Sequence, residues 1–290
     1  MDKLIRGLAH NKRLRVFIVR TTELVEKARA KHLLWPTSAA ALGRVLNVAT
    51  MMGSMLKGEK EQITIQINGG GPLGTILVRS YYDGRVKGFV ANPDVMLINN
   101  NNGKLAVGKA VGIDGYLKVS KDLNLKNDFT GQVKLISGEL AEDFAYYFNV
   151  SEQTPSFVSV GVLVNEDSTI KASGGIIIQL MPEANEKDIL FIENIAKDLK
   201  PISTLIAENK TPEQIAGMIF DDFELLATGK PYFGCDCSKE RMFVALTSLN
   251  KEDLEVMIKE DDGCEMHCEF CNSKYKFTGT DLQAILNKRK

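Results

Sequence analysis

The five cysteines of the chain all lie in its last fifth, and four of them form two short pairs. The pairs are Cys235-x-Cys237 and Cys268-x-x-Cys271, and the first 234 residues contain no cysteine. Two such pairs, each at a chain reversal, can surround one ion with four sulfur atoms, which is the arrangement of a tetrahedral Zn²⁺ site with thiolate ligands. The spacing therefore predicts that these four cysteines bind zinc.

Two further residues compete for the same ion. Cys264 and His267 precede Cys268 closely in the sequence, so spacing leaves them as rival ligands. The symmetry of the two short pairs favours the four cysteines named above, with Cys264 as a free thiol beside the site and His267 on the surface of a hairpin. The other two histidines, His10 and His32, belong to no ligand pattern.

The same thiolates can undergo redox chemistry. An oxidant such as peroxide or hypochlorous acid converts a thiolate to a sulfenic acid, which a neighbouring thiol then converts to a disulfide. Disulfide sulfurs do not hold zinc as thiolates do, so oxidation would remove the ligands of the site. A purely structural zinc site is the alternative, because residue types alone do not distinguish a switch from a permanent metal site.

The composition of the chain indicates which partners and which cellular compartment to expect. The 290 residues include 36 Lys and Arg and 37 Asp and Glu, a formal net charge of −1, which gives no general attraction to nucleic acids or anionic membranes. No apolar run approaches the length of a membrane span, and the N-terminal residues lack the pattern of a signal peptide. We therefore expect a cytoplasmic protein, in which clustered cysteines are metal ligands or redox sensors rather than structural disulfides.

The first of three regions is a domain over residues 1–182. Strand patterns such as the alternation of Ile63, Ile65 and Ile67 follow one another with few helices between them, which predicts an α+β domain with a largely antiparallel sheet. The predicted strands are 14–20, 63–67, 73–80, 85–90, 105–111, 115–119, 130–136, 156–165 and 169–180. The predicted helices are 39–56, with Thr37 or Ser38 as its cap, and 139–148.

Residues 183–230 are predicted to form a helical linker. Two amphipathic helices, 186–200 and 212–228, are expected here, and Thr211 followed by Pro212 has the pattern of a helix N-terminus. Isolated helices of this length are marginally stable, so we expect them to dock on another surface through their apolar residues. These residues are Ile189, Ile192, Ile195, Leu199, Ile215, Ile219 and Phe223.

Residues 231–290 are predicted to form a small zinc-binding module. Ser238, Asn250 and Thr280 are candidate caps for three short helices, and a hairpin carries the Cys-x-x-Cys pair. A segment of this size with few large apolar residues needs a cross-link in order to fold stably. The predicted zinc site supplies that cross-link.

No residue pattern outside the cysteines indicates an active site, so we do not expect an enzyme. The glycine-rich run at 69–74 lacks the Gly-Lys-Ser/Thr ending of a phosphate-binding loop, and a tight turn between strands explains it better. A thiol–disulfide oxidoreductase is an alternative, because Cys-x-x-Cys is also a catalytic redox motif. In those enzymes, however, the motif begins a helix in a thioredoxin-like unit, whereas here it is predicted in a hairpin.

A zinc-containing nucleic-acid-binding protein is the second alternative. Residues 231–290 contain nine Lys and Arg against eleven Asp and Glu. Binding to the phosphate backbone requires a basic surface, so this composition argues against a nucleic-acid partner.

Several separate motifs, in a fixed order, give the chain an end-to-end resemblance to a known family. They are PTSAAALGR at 36–44, GPLG at 71–74, SGELAEDFAYY at 137–147, SEQTP at 151–155, QLMP at 179–182, CDCSKER at 235–241 and CEFC at 268–271. On these motifs the chain resembles the redox-regulated holdase chaperones of the heat-shock protein 33 family. The resemblance implies an ATP-independent chaperone that is inactive while reduced and bound to one Zn²⁺ per chain.

The resemblance also implies how the chaperone would be activated. Oxidation would form the disulfides Cys235–Cys237 and Cys268–Cys271, zinc would leave, the zinc-binding module would unfold and the linker would undock. The active form would be a homodimer that binds unfolding client proteins and prevents their aggregation. Cys264 departs from the four-cysteine pattern, so a Cys264–Cys268 disulfide is an open alternative for the oxidised connectivity.

Overall fold

The structure is a computed structural model that describes residues 1–99 and 103–288. It separates into two compact units, residues 1–234 and residues 235–290. Helices are combined with sheets that are antiparallel apart from one short pair, which confirms the predicted α+β class. None of the described helices is both long enough and apolar enough to cross a membrane.

The elements of the first unit are as follows. Its strands are β1 (Lys3–Ala9), β2 (Leu14–Arg20), β3 (Gln62–Asn68), β4 (Ile76–Tyr81), β5 (Arg85–Val90), β6 (Tyr116–Asp122), β7 (Phe129–Lys134), β8 (Ser156–Val164), β9 (Ile170–Leu180), β10 (Glu224–Gly229) and β11 (Tyr232–Phe233). Its helices are α1 (Thr22–His32), α2 (Pro36–Gly53), α3 (Val107–Val111), α4 (Ala141–Val150), α5 (Glu186–Asp198), α6 (Ile202–Ala207) and α7 (Pro212–Ile219).

Two sheets share one central helix in this unit. The first sheet has the strand order β10-β1-β2-β9-β8 and the second has the order β11-β5-β4-β3-β6-β7. Helix α2 packs against strands of both sheets, and nearly all of its residues are buried. Its small side chains, such as the run Ala39–Ala41, allow the backbone of the helix to approach both sheets closely.

The other face of the first sheet carries the linker helices. Ile5 of β1 lies opposite Ile18 of β2, which lies opposite Ile176 of β9. Directly opposed residues point to the same side of a sheet, so these side chains form a continuous apolar strip. Ile195 and Ile215 of the linker pack in the same buried cluster. The sheet is therefore covered on both faces, by α1 and α2 on one and by α5, α6 and α7 on the other.

Two local predictions in the first domain are wrong. Residues 105–111 were expected to form a strand, but they contain the short helix α3, whose buried residues Val107, Ala110 and Val111 follow helical spacing. The expected caps of α2 are not caps, because the helix begins at Pro36 with Trp35 as its N-cap. The hydroxyls of Thr37 and Ser38 instead bond to the backbone of residues 92–97.

The linker differs from its prediction at its C-terminal end. The helix expected over 212–228 ends at Ile219, and residues Glu224–Gly229 form β10, which pairs antiparallel with β1. Residues 202–207 add the short helix α6. Strand pairing prevails because β1 would otherwise leave its backbone N–H and C=O groups on that side without partners. The prediction of Thr211 as a cap followed by Pro212 is confirmed.

The docking residues of the linker are predicted correctly with one exception. Ile195 and Ile215 are buried, and the partly buried Ile192, Leu199, Ile219 and Phe223 pack against the same cluster. The prediction that Ile189 docks is wrong, because 44% of its surface is exposed. The neighbouring Asp188 is completely buried instead, so the first turn of α5 presents its acidic residue, not its isoleucine, to the rest of the unit.

The second unit has a small core of its own. It contains α8 (Lys239–Leu246), α9 (Lys251–Asp261), β12 (Gly263–His267), β13 (Lys274–Thr278) and α10 (Gly279–Lys288). Ser238 and Asn250 cap α8 and α9 as predicted. Thr280 is not the cap of α10, because the Thr278 hydroxyl accepts the N–H of Asp281 and the Asp281 carboxylate accepts the N–H of Thr278.

Candidate metal centre

The four cysteines of the two short pairs meet in the second unit. One sulfur atom from each of Cys235, Cys237, Cys268 and Cys271 lies within 4.8 Å of all the others. The Sγ atoms of Cys235 and Cys268 are 3.7 Å apart, and those of Cys237 and Cys271 are 3.3 Å apart. Four thiolates at about 2.3 Å from a tetrahedral Zn²⁺ ion are separated by about 3.8 Å. The sulfurs therefore lie close enough together to surround one zinc ion, and an all-thiolate donor set suits zinc well.

A tight turn between β12 and β13 positions the second pair. The backbone N–H groups of Cys271 and Asn272 donate to the carbonyl of Cys268, at 3.2 and 2.7 Å, and the N–H of Cys268 donates to the carbonyl of Ser273 at 2.9 Å. Asn272 adopts a positive φ of 55°, a conformation that asparagine tolerates better than most residues. Both cysteines of this pair are buried.

The start of α8 positions the first pair. The side chain of Ser238 accepts the N–H of Arg241 at 3.3 Å, and the guanidinium of Arg241 forms an ion pair with Asp236. The Tyr275 hydroxyl donates to the Sγ of Cys237 at 3.1 Å. These contacts fix the chain on both sides of Asp236.

The sulfurs of the cluster influence each other's protonation. Burial, together with contacts to the sulfurs of Cys271 and Cys235, raises the pKa of Cys268. Burial alone would also raise the pKa of Cys271, but bonds to the side chain and backbone of Ser273 and to the sulfurs of Cys237 and Cys268 outweigh it and lower that pKa to about 7. The lowered pKa favours the thiolate form of Cys271, and thiolates are both the metal-binding and the oxidisable form of cysteine.

The two rival ligands lie outside the group of four. Cys264 is on β12, opposite Phe277 of β13, and packs against the apolar core of the unit. Burial raises the pKa of its thiol. His267 is exposed, with its Nε2 at 2.9 Å from a carboxylate oxygen of Glu265. Neither residue belongs to the group of four sulfurs, and His267 lies on the surface of the hairpin as the sequence suggested.

Distances within the cluster do not select a disulfide pairing. All four sulfurs lie within 4.8 Å of one another, so each cysteine has more than one neighbour that could become its partner. The disulfides Cys235–Cys237 and Cys268–Cys271 stay predictions. The Cys-x-x-Cys pair lies between two strands, unlike the catalytic pair of thioredoxin-like enzymes, which begins a helix.

A second cluster of polar residues, in the first unit, was not predicted from the sequence. The turn between β1 and β2 contacts the start of the linker through Asp188, whose carboxylate accepts the Nε–H of Arg13 at 2.8 and 3.0 Å and the N–H of Asn185 at 2.7 Å. The Nδ1 of His10 lies 2.6 Å from the same carboxylate. Burial alone would raise the pKa of Asp188, but its bonds to Arg13, Asn185 and His10 lower it.

The same turn also contacts the end of the linker. Asp222 accepts the backbone N–H groups of His10 and Asn11 at 2.7 and 2.6 Å, and the His10 ring stacks on Phe191 of α5 with centroids 4.4 Å apart. We call Asp188, Asp222, His10 and Arg13 the clasp. Sequence could have shown Asp188 as part of a capping box with Asn185, but its burial against Arg13 depends on the tertiary fold.

Comparison with known proteins places the chain in a family. The family model described as Hsp33 protein matches residues 2–278. The 33 kDa chaperonin of Clostridium botulinum is 47% identical over 98% of this chain and 97% of its own length, and that of Geobacillus kaustophilus is 49% identical over the same shares. The crystal structure of the 33 kDa chaperonin from Thermotoga maritima, a heat shock protein 33 homolog, aligns with a TM-score of 0.92 and 38% identity, covering 99% of this chain and 98% of that one. The chain belongs to the Hsp33 family.

Proposed function

We propose that this chain is a redox-regulated, ATP-independent holdase chaperone whose activity is controlled by the four-cysteine cluster. Membership of the Hsp33 family, with curated relatives named 33 kDa chaperonin, supports the chaperone function. The observation that carries the regulation is the meeting of four sulfurs within 4.8 Å of one another. Such a cluster can both bind a metal ion and form disulfides.

In the reduced protein, Cys235, Cys237, Cys268 and Cys271 would hold one Zn²⁺ ion. Bound Zn²⁺ would cross-link the two cysteine segments and keep their sulfurs deprotonated. The rest of the unit offers limited apolar packing. Its buried cluster consists of Leu246, Leu254, Phe277, Leu282, Ile285 and Leu286. A core of this size leaves the unit dependent on its cross-link.

Oxidation would remove the ligands in pairs. A thiolate attacks one oxygen of hydrogen peroxide, giving a sulfenic acid and hydroxide, and a second thiolate then attacks that sulfur and releases another hydroxide. Each disulfide therefore consumes one peroxide and gives up two electrons. With Cys235–Cys237 and Cys268–Cys271 formed, the cluster would no longer hold zinc, and the module would lose the cross-link that stabilises it.

Unfolding of the module would release the linker that precedes it in the chain. The linker buries Ile195, Ile215 and Leu205 against the first sheet, yet it leaves Leu190, Met218 and other apolar side chains more than half exposed. The linker thus buries only part of its apolar surface, as expected of a segment that docks reversibly. Undocking would uncover the apolar face of the sheet, and exposed apolar surface of this kind binds unfolded proteins.

The proposed function also includes the clients, the oligomeric state and the cellular compartment. The clients are unfolding proteins recognised by their exposed apolar segments, and the active form is a homodimer in the cytoplasm. We propose neither a nucleic-acid nor a membrane partner, because the net charge is −1 and no described helix can span a bilayer. We also propose no enzymatic activity.

The first experiment combines a chaperone assay with a zinc assay. Reduced, zinc-loaded protein and protein treated with peroxide at raised temperature are each mixed with thermally unfolding citrate synthase, and light scattering and released zinc are followed together. We expect protection only after oxidation, rising with zinc release. Zinc release without protection would contradict the chaperone function. Equal protection by both forms would contradict the switch and leave the cluster as a structural metal site.

A further inference from the structure

The last part of the linker is an edge strand with almost no buried side chains. Strand β10 pairs with β1 at the end of the first sheet, and Ala227 is its only residue that is not exposed. Leu225 and Leu226 are 47% and 55% exposed. The strand is therefore held chiefly by backbone hydrogen bonds to β1, and not by packing.

The other contacts of β10 add little stability. Glu224 forms an ion pair with Lys12 at 3.0 Å, but both side chains are at least half exposed, and such surface pairs contribute little to stability. The pairing with β1 is also interrupted by a register shift between Arg6 and Gly7, where a bulge leaves one residue of β10 without a partner. Strand β10 is consequently easier to remove than β2 or β9, which are paired on both sides.

Removal of β10 would open two adjoining surfaces. The backbone groups of β1 that now face β10 would become an unpaired sheet edge, which is a template for another strand. Beside that edge lies the apolar strip that begins with Ile5, a residue that is completely buried beneath the linker. Leu225 and Thr228 lie opposite Gly7 and Ile5, so they stand on the same side of the sheet as this strip.

From these contacts we propose that β10 occupies the place of the client. When the linker undocks, an extended segment of an unfolding polypeptide pairs with β1 at the vacated edge and sets alternate apolar side chains on the strip beside Ile5. The occupant is inferred from β10 itself, which shows that this edge accepts an extended segment with few side-chain requirements. Strand addition of this kind takes its affinity from backbone hydrogen bonds and tolerates many sequences. The inference rests on the proposed holdase function.

A cross-link between β1 and β10 tests the inference. Arg6 and Ala227 are directly opposed, and opposed Cα atoms in antiparallel strands are about 5 Å apart, within the range that a disulfide spans. The double variant Arg6→Cys/Ala227→Cys is cross-linked while zinc is still bound, as verified by mass spectrometry, and is then oxidised. We expect normal zinc release but loss of protection of citrate synthase, whereas each single variant protects normally. Full protection by the cross-linked protein would overturn the inference. Failure of the single variants, or of the wild type, would instead count against the proposed function.

A peptide experiment separates the edge from the apolar strip. A labelled peptide with the sequence of residues 223–230 is titrated with reduced and with oxidised full-length protein, beside a matched peptide carrying Leu226→Pro and Ala227→Pro. Adjacent prolines remove backbone donors on both edges of the peptide. We expect binding of the first peptide to the oxidised protein only, and at least about tenfold weaker binding of the proline peptide, about 1.4 kcal/mol. Equal affinities would show that the apolar strip alone binds and would overturn the inference.

Discussion

The linker buries Ile195, Ile215 and Asp188 against the rest of the first unit, whereas the cysteine module combines a small core with a cluster of four sulfurs. The linker contacts are apolar packing and a buried carboxylate with its hydrogen-bond partners. The contacts of the sulfurs with one another can be replaced by covalent bonds when an oxidant is present. In the proposed function an oxidant would therefore form disulfides in the module and not in the linker, which contains no cysteine.

Under the proposed function this difference gives the two regions separate tasks. The module would detect the oxidant, because its four sulfurs can react with it. The linker would respond, because it covers apolar surface and the edge of β1. Variants that weaken one region at a time test this difference.

The largest effect is expected from loss of a sulfur. Cys237→Ser removes one sulfur from the cluster, and we expect the variant not to hold zinc and its cysteine module to become sensitive to protease, since structural zinc contributes on the order of 10 kcal/mol to small domains. Cys264→Ser is the matched control and should retain zinc and the protease resistance of the module. Limited proteolysis with zinc analysis measures both. A stably folded Cys237→Ser module would show that packing, and not the cluster, maintains this unit.

The second effect concerns apolar docking of the linker. Ile215 is completely buried, whereas Ile189 is 44% exposed. Ile215→Ala should destabilise the docked linker by about 2–4 kcal/mol, the usual cost of removing a buried isoleucine side chain, while Ile189→Ala should cost less than about 0.5 kcal/mol. Hydrogen exchange of α7 measures the difference. Similar values for the two variants would mean that the linker is not docked on the sheet as described.

The third effect concerns the clasp. Asp188→Asn should weaken the docking of α5 by about 1.5–3 kcal/mol at pH 7, the value typical of hydrogen bonds to a charged group. The exposed Asp198 on the same helix provides the control, and Asp198→Asn should have little effect. Hydrogen exchange of α5 is the measurement.

The pH dependence of this effect follows from the lowered pKa of Asp188. A carboxylate whose pKa is lower in the folded than in the unfolded state stabilises the fold above its ordinary value of 3.8 and loses that contribution as the pH falls below it. The difference between wild type and Asp188→Asn should therefore be constant near neutrality and shrink in acid. A difference that grew on acidification would contradict the assignment.

The smallest effect is expected at Asp2, a carboxylate whose pKa is raised and not lowered in the folded protein. Asp2 accepts the N–H groups of Glu23 and Leu24 at 3.1 and 2.7 Å, yet its burial outweighs these bonds and raises its pKa to about 6. The folded protein thus binds this proton more tightly than the unfolded chain, so the stabilising contribution is present below pH 3.8 and is lost as the pH rises to about 6. Asp2→Asn should stabilise the first unit by about 1–2 kcal/mol at pH 8 and have little effect at pH 4, as measured by urea unfolding.

The cysteine module could be predicted from sequence to a large extent. The pairs Cys235/Cys237 and Cys268/Cys271 are found together, and Ser238 and Asn250 cap their helices as expected. Capping depends on residues a few positions apart, and the two cysteine pairs are each local, so their geometry is largely a property of nearby sequence. Only the shift of the α10 cap from Thr280 to Thr278 was missed.

Two features of the linker could not be predicted from the local sequence. Apolar spacing extends the second helix to Thr228, but residues 224–229 pair with β1 instead. The same spacing favoured burial of Ile189, but Asp188 is the buried residue. Both differences arise from residues more than a hundred positions away, the backbone of β1 in one case and Arg13 in the other.

Residue types and their spacing are sufficient to predict the class of fold, the four-cysteine cluster, the starts of α5, α7, α8 and α9 and, through the motifs, the resemblance to the family. These features depend on residue types and on short-range spacing, which the chain contains regardless of how it is folded. Only the folded structure shows which strand lies beside β1, which acidic residue of the linker is buried and how the two ends of the linker are held by one turn. Those outcomes depend on unpaired backbone groups and buried charges finding partners far away in the chain, and the local sequence does not record where those partners are.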